Sequence, residues 1–119
     1  MKKILVVEDN ELNLKLMKDL LEIHGYSADS AENGKIALEK IQINNYDLIL
    51  LDIQMPVFTG YDFLEASKDL NRPPIIVVSA CAMEQEVKKA KDLGCVDYIS
   101  KPIKIDEFLN VIKTYAPAE

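Results

Sequence analysis

Four apolar runs in this sequence are each followed by polar side chains that could do chemistry. Glu8 and Asp9 come after the first run, and Asp52 comes after the central one. Ser79 follows the next run, and Lys101 closely follows the last. If these runs are strands of one parallel sheet, their carboxyl ends share an edge, which is where open sheets bind ligands. The spacing therefore predicts a site of three carboxylates, one hydroxyl and one ammonium group.

A cluster of three carboxylates needs a cation. At separations of about 4 Å, each pair repels by roughly 4 kcal/mol at an effective dielectric constant near 20. An all-oxygen, partly hydrated site favours Mg²⁺, which keeps waters that a phosphate can displace. Asp52 could then attack a phosphoryl group and form an acyl phosphate, while the metal and Lys101 neutralise the phosphoryl oxygens. Taken alone, Asp52 is equally consistent with a solvated residue that starts a loop.

The apolar runs have the composition of buried strands. Residues 48–51 are too few for a helix and lack polar alternation, and residues 75–78 are all β-branched. Pro56 and Gly60 break the backbone soon after Asp52, so that carboxylate is expected at a strand end. Five strands are predicted, at residues 3–7, 26–31, 48–51, 75–78 and 95–99.

A helix is predicted after each strand. The first begins after Asn10, which can cap it, and ends at Gly25. Its apolar stripe, which we predict to face the core, comprises Leu12, Leu16, Met17, Leu20, Leu21 and Ile23. The other helices are predicted to begin at Gly34, after Gly60, at Glu84 and at Asp106 or Glu107, and the chain from Tyr115 to Glu119 is predicted to fray. This alternation predicts an α/β fold, a doubly wound five-stranded parallel sheet with helices on both faces and right-handed crossovers.

Composition limits the classes of function. A chain of 119 residues, 49% hydrophobic and 29% charged, suits one globular domain, and we expect residues 1–119 to form it with no output domain. The net charge of −6 disfavours direct binding to nucleic acid or to an anionic membrane. No apolar run reaches membrane-spanning length and no secretory signal is evident, so the cytoplasm is the expected location.

Cysteine and histidine are too sparse for a redox motif or a zinc site. Cys81 and Cys95 lie far apart in the chain, and His24 is the only histidine. Both cysteines are expected to be small buried hydrophobes, although Cys81 lies close enough to Ser79 to titrate or oxidise. His24 is expected to be a helix-end or surface residue.

Together these residues resemble the receiver domain of two-component response regulators. The resemblance extends over residues 3–115 and rests on Glu8, Asp9, Asp52, Gly60, Ser79, Tyr98, Lys101 and Pro102. It implies a flavodoxin-like fold with strand order 2-1-3-4-5, and a cis peptide bond between Lys101 and Pro102. Residues 7–13, 80–83 and 95–103 are also similar to single-domain regulators of the DivK type and to receivers in hybrid kinases.

By this resemblance, Asp52 is the phosphoacceptor and Mg²⁺ is the cofactor. The metal would be held by Glu8, Asp9 and Asp52 together with the backbone carbonyl of Gln54. The donor would be a phosphohistidine on a sensor histidine kinase or a histidine phosphotransfer protein. The domain would catalyse only its own phosphorylation and slow autodephosphorylation, so it is not expected to be an enzyme with an external substrate. Output would pass to a downstream protein or through a phosphorylation-dependent homodimer.

Three further residues would respond to phosphorylation. The resemblance implies that Lys101 contacts the phosphoryl group, that Ser79 closes on a phosphoryl oxygen, and that Tyr98 swings inward behind it. Apart from the resemblance, Tyr98 is also consistent with a half-buried core aromatic, and Lys101 with an ordinary lysine at a strand end. Gln54 and Cys81 flank the site and would tune the lifetime of the phosphoryl group.

Three other functions fit parts of the pattern. A hydrolase of the haloacid-dehalogenase kind also uses a strand-end aspartate, but it needs a second aspartate two residues later, where this chain has Gln54. A flavodoxin-like FMN carrier shares the predicted fold, but Glu8 and Asp9 would repel the phosphate of FMN. A phosphorylation-independent binding module is the remaining alternative, and the complete set of site residues counts against it.

Overall fold

Five parallel strands alternate with five helices in this protein. The computed structural model describes residues 1–56, 58–80 and 83–118. The strands are β1 (Lys3–Val7), β2 (Ser27–Ala31), β3 (Leu48–Leu51), β4 (Ile75–Ser79) and β5 (Asp97–Ser100). The helices are α1 (Glu11–Ile23), α2 (Gly34–Ile43), α3 (Gly60–Ser67), α4 (Glu84–Asp92) and α5 (Ile105–Tyr115). The strands form one sheet in the order β2-β1-β3-β4-β5, which confirms the predicted fold class and strand order.

The sheet divides the core into two clusters, one on each face. Every residue of β3 and β4 is buried, because these strands have neighbours on both sides and helices on both faces. In β3, Ile49 and Leu51 point into one cluster with Phe63 of α3, whereas Leu48 and Leu50 point into the other. This alternation follows the two-residue period of a strand, so an unbroken apolar run fills both clusters.

Side-chain caps fix the start of three helices near the carboxyl ends of the strands. The side chains of Asn10, Asn33 and Thr59 each accept a hydrogen bond from a backbone N–H three residues later, which confirms the Asn10 cap. Thr59 and Asp62 form a reciprocal capping box at the start of α3. The caps therefore set where the loops around Asp52 and Glu8 end.

The predicted core stripe of α1 is partly wrong. Met17 and Leu21 are buried, but Leu12 and Ile23 are 80% and 76% exposed, and Leu16 is 41% exposed. With each residue turning the helix by about 100°, Leu12, Leu16 and Ile23 share one side of α1, whereas Met17 and Leu21 lie roughly 100° or more further around it, so the six residues do not form one stripe. Met17 and Leu21 therefore pack against the sheet, and Leu12, Leu16 and Ile23 form a separate apolar strip that is exposed to solvent.

The C-terminal segment was predicted to fray from Tyr115 onwards, but it is packed against the domain as far as Ala116. Tyr115 is the last residue of α5, and Ala116 is only 1% exposed. The buried hydroxyl of Tyr26 donates to the Ala116 carbonyl oxygen at 2.7 Å.

Pairing of β5 with β4 also begins two residues later than predicted, at Asp97. The predicted inert burial of Cys95 is confirmed, whereas Cys81 lies outside the described residues.

Candidate functional site

The buried carboxylates stand at the carboxyl ends of two neighbouring strands, β1 and β3. Glu8 is 1% exposed and Asp52 is 5% exposed, whereas Asp9 is exposed. The backbone N–H of Asp52 donates to Val7 at 3.0 Å, so sheet-like bonding continues one residue past β3. The main chain therefore fixes Asp52 beside the end of β1, where Glu8 and Asp9 begin the next loop.

Lys101 joins the two buried carboxylates from the end of β5. Its ammonium nitrogen donates to Oε1 of Glu8 at 2.5 Å and to Oδ2 of Asp52 at 3.3 Å. Its backbone N–H donates to the Ser79 carbonyl oxygen at 2.9 Å, and its peptide bond to Pro102 is cis, as the resemblance implied. The ends of β1, β3, β4 and β5 are thus connected through one lysine.

The burial and proximity of these groups change the pKa values of Glu8 and Lys101. Burial raises the pKa of Glu8 to about 7, and the neighbouring Asp52 adds to the rise while Lys101 opposes it. Burial works against the charged form of Lys101, but its bonds to Glu8 and Asp52 outweigh burial and raise the pKa of Lys101 above its ordinary value. The site therefore holds a firmly charged lysine and a glutamate that ionises reluctantly unless more positive charge is nearby.

The carboxylates fit a magnesium ion. One oxygen each from Glu8, Asp9 and Asp52 lies within 4.8 Å of the others. These hard oxygen donors suit Mg²⁺, and the exposure of Asp9 leaves room for the coordinated waters that this ion keeps. A divalent ion would also offset the unfavourable ionisation of Glu8.

The other predicted site residues surround this cluster. The Gln54 backbone N–H donates to Oδ1 of Asp52 at 2.9 Å, which orients that carboxylate, and the Gln54 side chain is exposed. Ser79 is fully buried at the end of β4. Tyr98 is half-buried on β5, where its ring packs against the cluster that contains Phe63. The structure thus brings the Gln54 backbone to Asp52 and the Ser79 backbone to Lys101, and it places Tyr98 on β5, the neighbour of β4.

Gly60 allows α3 to begin directly against the site. A Cβ atom at this position would lie 2.5 Å from Cα of Ile53 and 2.6 Å from the carbonyl oxygen of Asp52. The Gly60 N–H also points back to the Ile53 carbonyl oxygen at 3.4 Å. Only glycine permits this approach of two backbones, so Gly60 helps to hold Asp52 in place.

Several supporting residues were not predicted from the sequence. Asn10 was expected only as a helix cap, yet its backbone N–H also donates to Oε2 of Glu8 at 3.3 Å. Tyr61 and Glu86 join α3 to α4 through a hydroxyl–carboxylate hydrogen bond, and Arg72 joins the other ends of the same helices. The sequence offered two signals for these contacts. One was a tyrosine, Tyr61, in the first turn of α3, and the other was Arg72 directly before two prolines.

Comparison with known proteins identifies the family. A sequence model described as the response regulator receiver domain matches residues 4–113. This chain belongs to the response regulator receiver family. The receiver is 42% identical to the polar-differentiation response regulator DivK of Brucella anthropi over 117 residues, which are 96% of this chain and 95% of that protein. It is 40% identical to DivK of Brucella ovis over the same shares of the two chains.

Solved receiver structures share this architecture. The receiver resembles response regulator TrrA of Thermotoga maritima, solved in complex with Mg²⁺ and BeF, with 34% identity, a TM-score of 0.86, and coverage of 97% of this chain and 99% of that one. It also resembles the receiver domain of sensor histidine kinase PA1611 of Pseudomonas aeruginosa, which has magnesium in its active-site cleft. That match has 29% identity, a TM-score of 0.88 and coverage of 96% of each chain.

None of the helices in the described ranges of this receiver has the length and apolar character needed to cross a bilayer.

Proposed function

We propose that this receiver accepts a phosphoryl group on Asp52 from a phosphohistidine and uses Mg²⁺ to do so. The observation that carries the proposal is the contact of one lysine, Lys101, with both buried carboxylates, Glu8 and Asp52, beside the exposed Asp9. A largely buried cation next to a carboxylate nucleophile and a hard-oxygen metal site is an arrangement suited to phosphoryl transfer. The magnesium complexes of TrrA and PA1611 support the choice of metal.

The chemistry is a displacement at phosphorus. A carboxylate oxygen of Asp52 attacks, a P–O bond forms, and the P–N bond to the donor imidazole breaks. The bonding electron pair leaves with the imidazole nitrogen, which then takes up a proton. When bound by Glu8, Asp9, Asp52 and the Gln54 carbonyl, Mg²⁺ supplies positive charge to phosphoryl oxygens.

The residues of this chain prepare Asp52 for that attack. The Gln54 N–H holds one oxygen of the Asp52 carboxylate, and Lys101 contacts the other. The Lys101 ammonium then neutralises charge on the phosphoryl group, and it stays protonated in this site because its two carboxylate partners outweigh the effect of burial on its pKa. Slow attack of water on the acyl phosphate would return the domain to its starting state.

Phosphorylation would be transmitted by rearrangement of the neighbouring strands. Ser79 would close on a phosphoryl oxygen, and Tyr98 would move inward behind it, so that the face formed by α4, β5 and α5 changes its protein contacts. A downstream protein or a second copy of the receiver would bind this face. Chromatographic size and partner binding that are identical with and without the phosphoryl group would contradict this part of the proposal.

Intact-protein mass tests the central claim. Wild-type receiver incubated with a small acyl phosphate and Mg²⁺ should gain one phosphoryl group, and chelation of the metal should prevent the gain. The variant Asp52→Asn should gain none, whereas Asp47→Asn, which changes an exposed aspartate at the other end of β3, should behave as wild type. A folded wild-type protein that gains no adduct would instead favour a phosphorylation-independent binding module.

A further inference from the structure

Helix α4 is held by less apolar burial than α1, α3 and α5. Its only buried side chain is Ala90, whereas each of those three helices buries at least two larger apolar side chains. Its N-cap residue, Met83, makes no side-chain hydrogen bond to the first turn. Because the hydrophobic contribution grows with buried area, the position of α4 depends strongly on its polar contacts.

The C-terminal end of α4 is fixed by the guanidinium of Arg72. Its Nη2 donates to the Leu93 carbonyl oxygen at 2.8 Å, while Nη1 donates to the Leu64 carbonyl oxygen at 2.8 Å and to Ser67 Oγ at 2.7 Å. Gly94 follows with φ +104°, and a Cβ there would lie 2.4 Å from Nη2. One planar guanidinium therefore joins the ends of α3 and α4 at the end of the sheet opposite the site.

The first turns of the same two helices are joined by Tyr61. Its hydroxyl donates to the Glu86 carboxylate and lies 3.5 Å from the Glu86 carbonyl oxygen. The ammonium of Lys89, one turn further along α4, lies 4.2 Å from the centre of the Tyr61 ring. Tyr61 thus contacts two successive turns at the end of α4 that is nearer to the site.

This end of α4 is the one that a movement of Ser79 would displace. Four residues connect Ser79, the last residue of β4, to Glu84, the first of α4. A shift of Ser79 towards a phosphoryl group therefore pulls on the turn that contains Glu86. Leu93, whose carbonyl Arg72 binds, lies about 14 Å from Glu84 along the helix axis at the usual rise per residue, so Arg72 would hold the far end of α4.

We propose that the Tyr61–Glu86 hydrogen bond stabilises the position of α4 in the unphosphorylated protein, and we call this bond the latch. When the latch breaks, α4 turns about its contacts with Arg72, which form the pivot. The inference rests on the proposed function, because the movement begins at Ser79. A ligand that favours the moved state binds more tightly when the contact opposing that state is removed. Loss of the latch should therefore raise the affinity for a phosphoryl mimic.

The decisive measurement is the affinity for beryllofluoride in the presence of Mg²⁺, determined by calorimetry on wild type and Tyr61→Phe. The variant loses the hydroxyl but keeps a ring beneath Lys89. Its affinity should rise by about 2- to 10-fold, the range expected for one hydrogen bond. Amide hydrogen exchange without beryllofluoride should become faster in the first turn of α4 and stay unchanged near Leu93.

Two comparisons separate the latch from a general loosening of the fold. Tyr46→Phe removes another tyrosine–carboxylate hydrogen bond, 2.6 Å long and made to Asp29 on the far edge of the sheet, and should leave the affinity unchanged. Glu86→Ala should raise the affinity as Tyr61→Phe does, and the double variant should show no further rise, because both remove the same contact.

The outcomes also separate the latch from the proposed function. Wild type that binds no beryllofluoride in Mg²⁺ would overturn the proposed function together with the latch that rests on it. Wild-type binding that Tyr61→Phe leaves unchanged, with unchanged exchange in α4, would overturn the latch alone. A rise of the same size in Tyr46→Phe would equally contradict it.

Discussion

At the scale of single residues, Lys101 is the group on which the site depends most. Its side chain is 15% exposed, and it compensates two carboxylates that are 6% exposed or less. Removal of one member of such a buried cluster leaves uncompensated charge, which is more costly than the loss of an exposed ion pair. The same ammonium supplies positive charge near the carboxylate of Asp52, the proposed phosphoacceptor.

Lys101→Ala should therefore affect both stability and chemistry. We expect the free energy of unfolding in metal-free buffer to fall by about 3 kcal/mol, because Glu8 and Asp52 lose their shared partner. Phosphorylation by a small acyl phosphate should be nearly lost even when Mg²⁺ restores the fold. Urea unfolding and intact-protein mass measure the two effects.

Lys104→Ala is the control, because Lys104 is exposed and lies just beyond the loop that carries Lys101. It should change the free energy of unfolding little and leave phosphorylation intact. If Lys101→Ala behaved in the same way, the ion contacts of Lys101 would have no functional role.

At the scale of elements, the close approach of α3 to the end of β3 positions Asp52, the proposed nucleophile. Gly60→Ala would force a methyl group against the backbone of Asp52 and Ile53, which cannot turn aside as a flexible side chain could. We expect a loss of about 1 to 3 kcal/mol in the free energy of unfolding, typical of overpacking, and a lower rate of phosphorylation. Thermal unfolding and time-resolved mass measurement would show both changes.

Gly25→Ala provides the matched glycine control. Gly25 has φ +90°, but beyond its two chain neighbours no atom lies within 4 Å of the position that a Cβ would take, so only backbone conformation opposes alanine there. We expect it to cost about 1 kcal/mol without a change in phosphorylation rate. An unchanged rate in Gly60→Ala would show that Asp52 does not depend on the approach of α3.

The elements that could be predicted from the sequence are those whose residues need no distant partner. β3 is apolar throughout and β4 is apolar up to its last residue, Ser79, so both are recognisable as buried strands and their bounds are nearly right. The buried face of α1 was harder, because leucines surround that helix and only contact with the sheet selects Met17 and Leu21. The ordered end at Ala116 could not be predicted, because it depends on the hydroxyl of Tyr26, 90 residues away.

The same distinction applies to the candidate site. The strand-end positions of Glu8, Asp52 and Ser79 follow from strand patterns, and topology then brings them together. The contacts made by Tyr61 and Arg72 depend on the relative placement of α3 and α4. No local pattern in the sequence determines that placement.

At the scale of the whole molecule, the carboxylate cluster should make stability depend on pH and metal. The pKa of Glu8 is raised from 4.5 to about 7 in the folded protein. Between these two pH values, Glu8 therefore holds a proton in the folded protein that it has lost in the unfolded chain. Stability should therefore fall as pH rises from 5.5 to 8 without metal. Magnesium binds the ionised carboxylate, so it should raise the melting temperature more at pH 8 than at pH 5.5.

Differential scanning calorimetry at both pH values, with Mg²⁺ or a chelator, measures this dependence. Glu8→Gln should remove most of the fall in stability between the two pH values. His24→Gln removes the only histidine and should retain the fall. A metal-free melting temperature that rises towards pH 8 in wild type would contradict the assignment to Glu8.

The sparse burial of α4 has a consequence for the divergence of such domains. Because Ala90 is its only buried side chain, the residues of this helix that make no contact with α3 can be exchanged by mutation at little cost to the fold. The proposed chemistry leaves the carboxylates and Lys101 no such freedom. If that chemistry holds, selection can redirect this helix to new binding partners after gene duplication while the site is inherited unchanged.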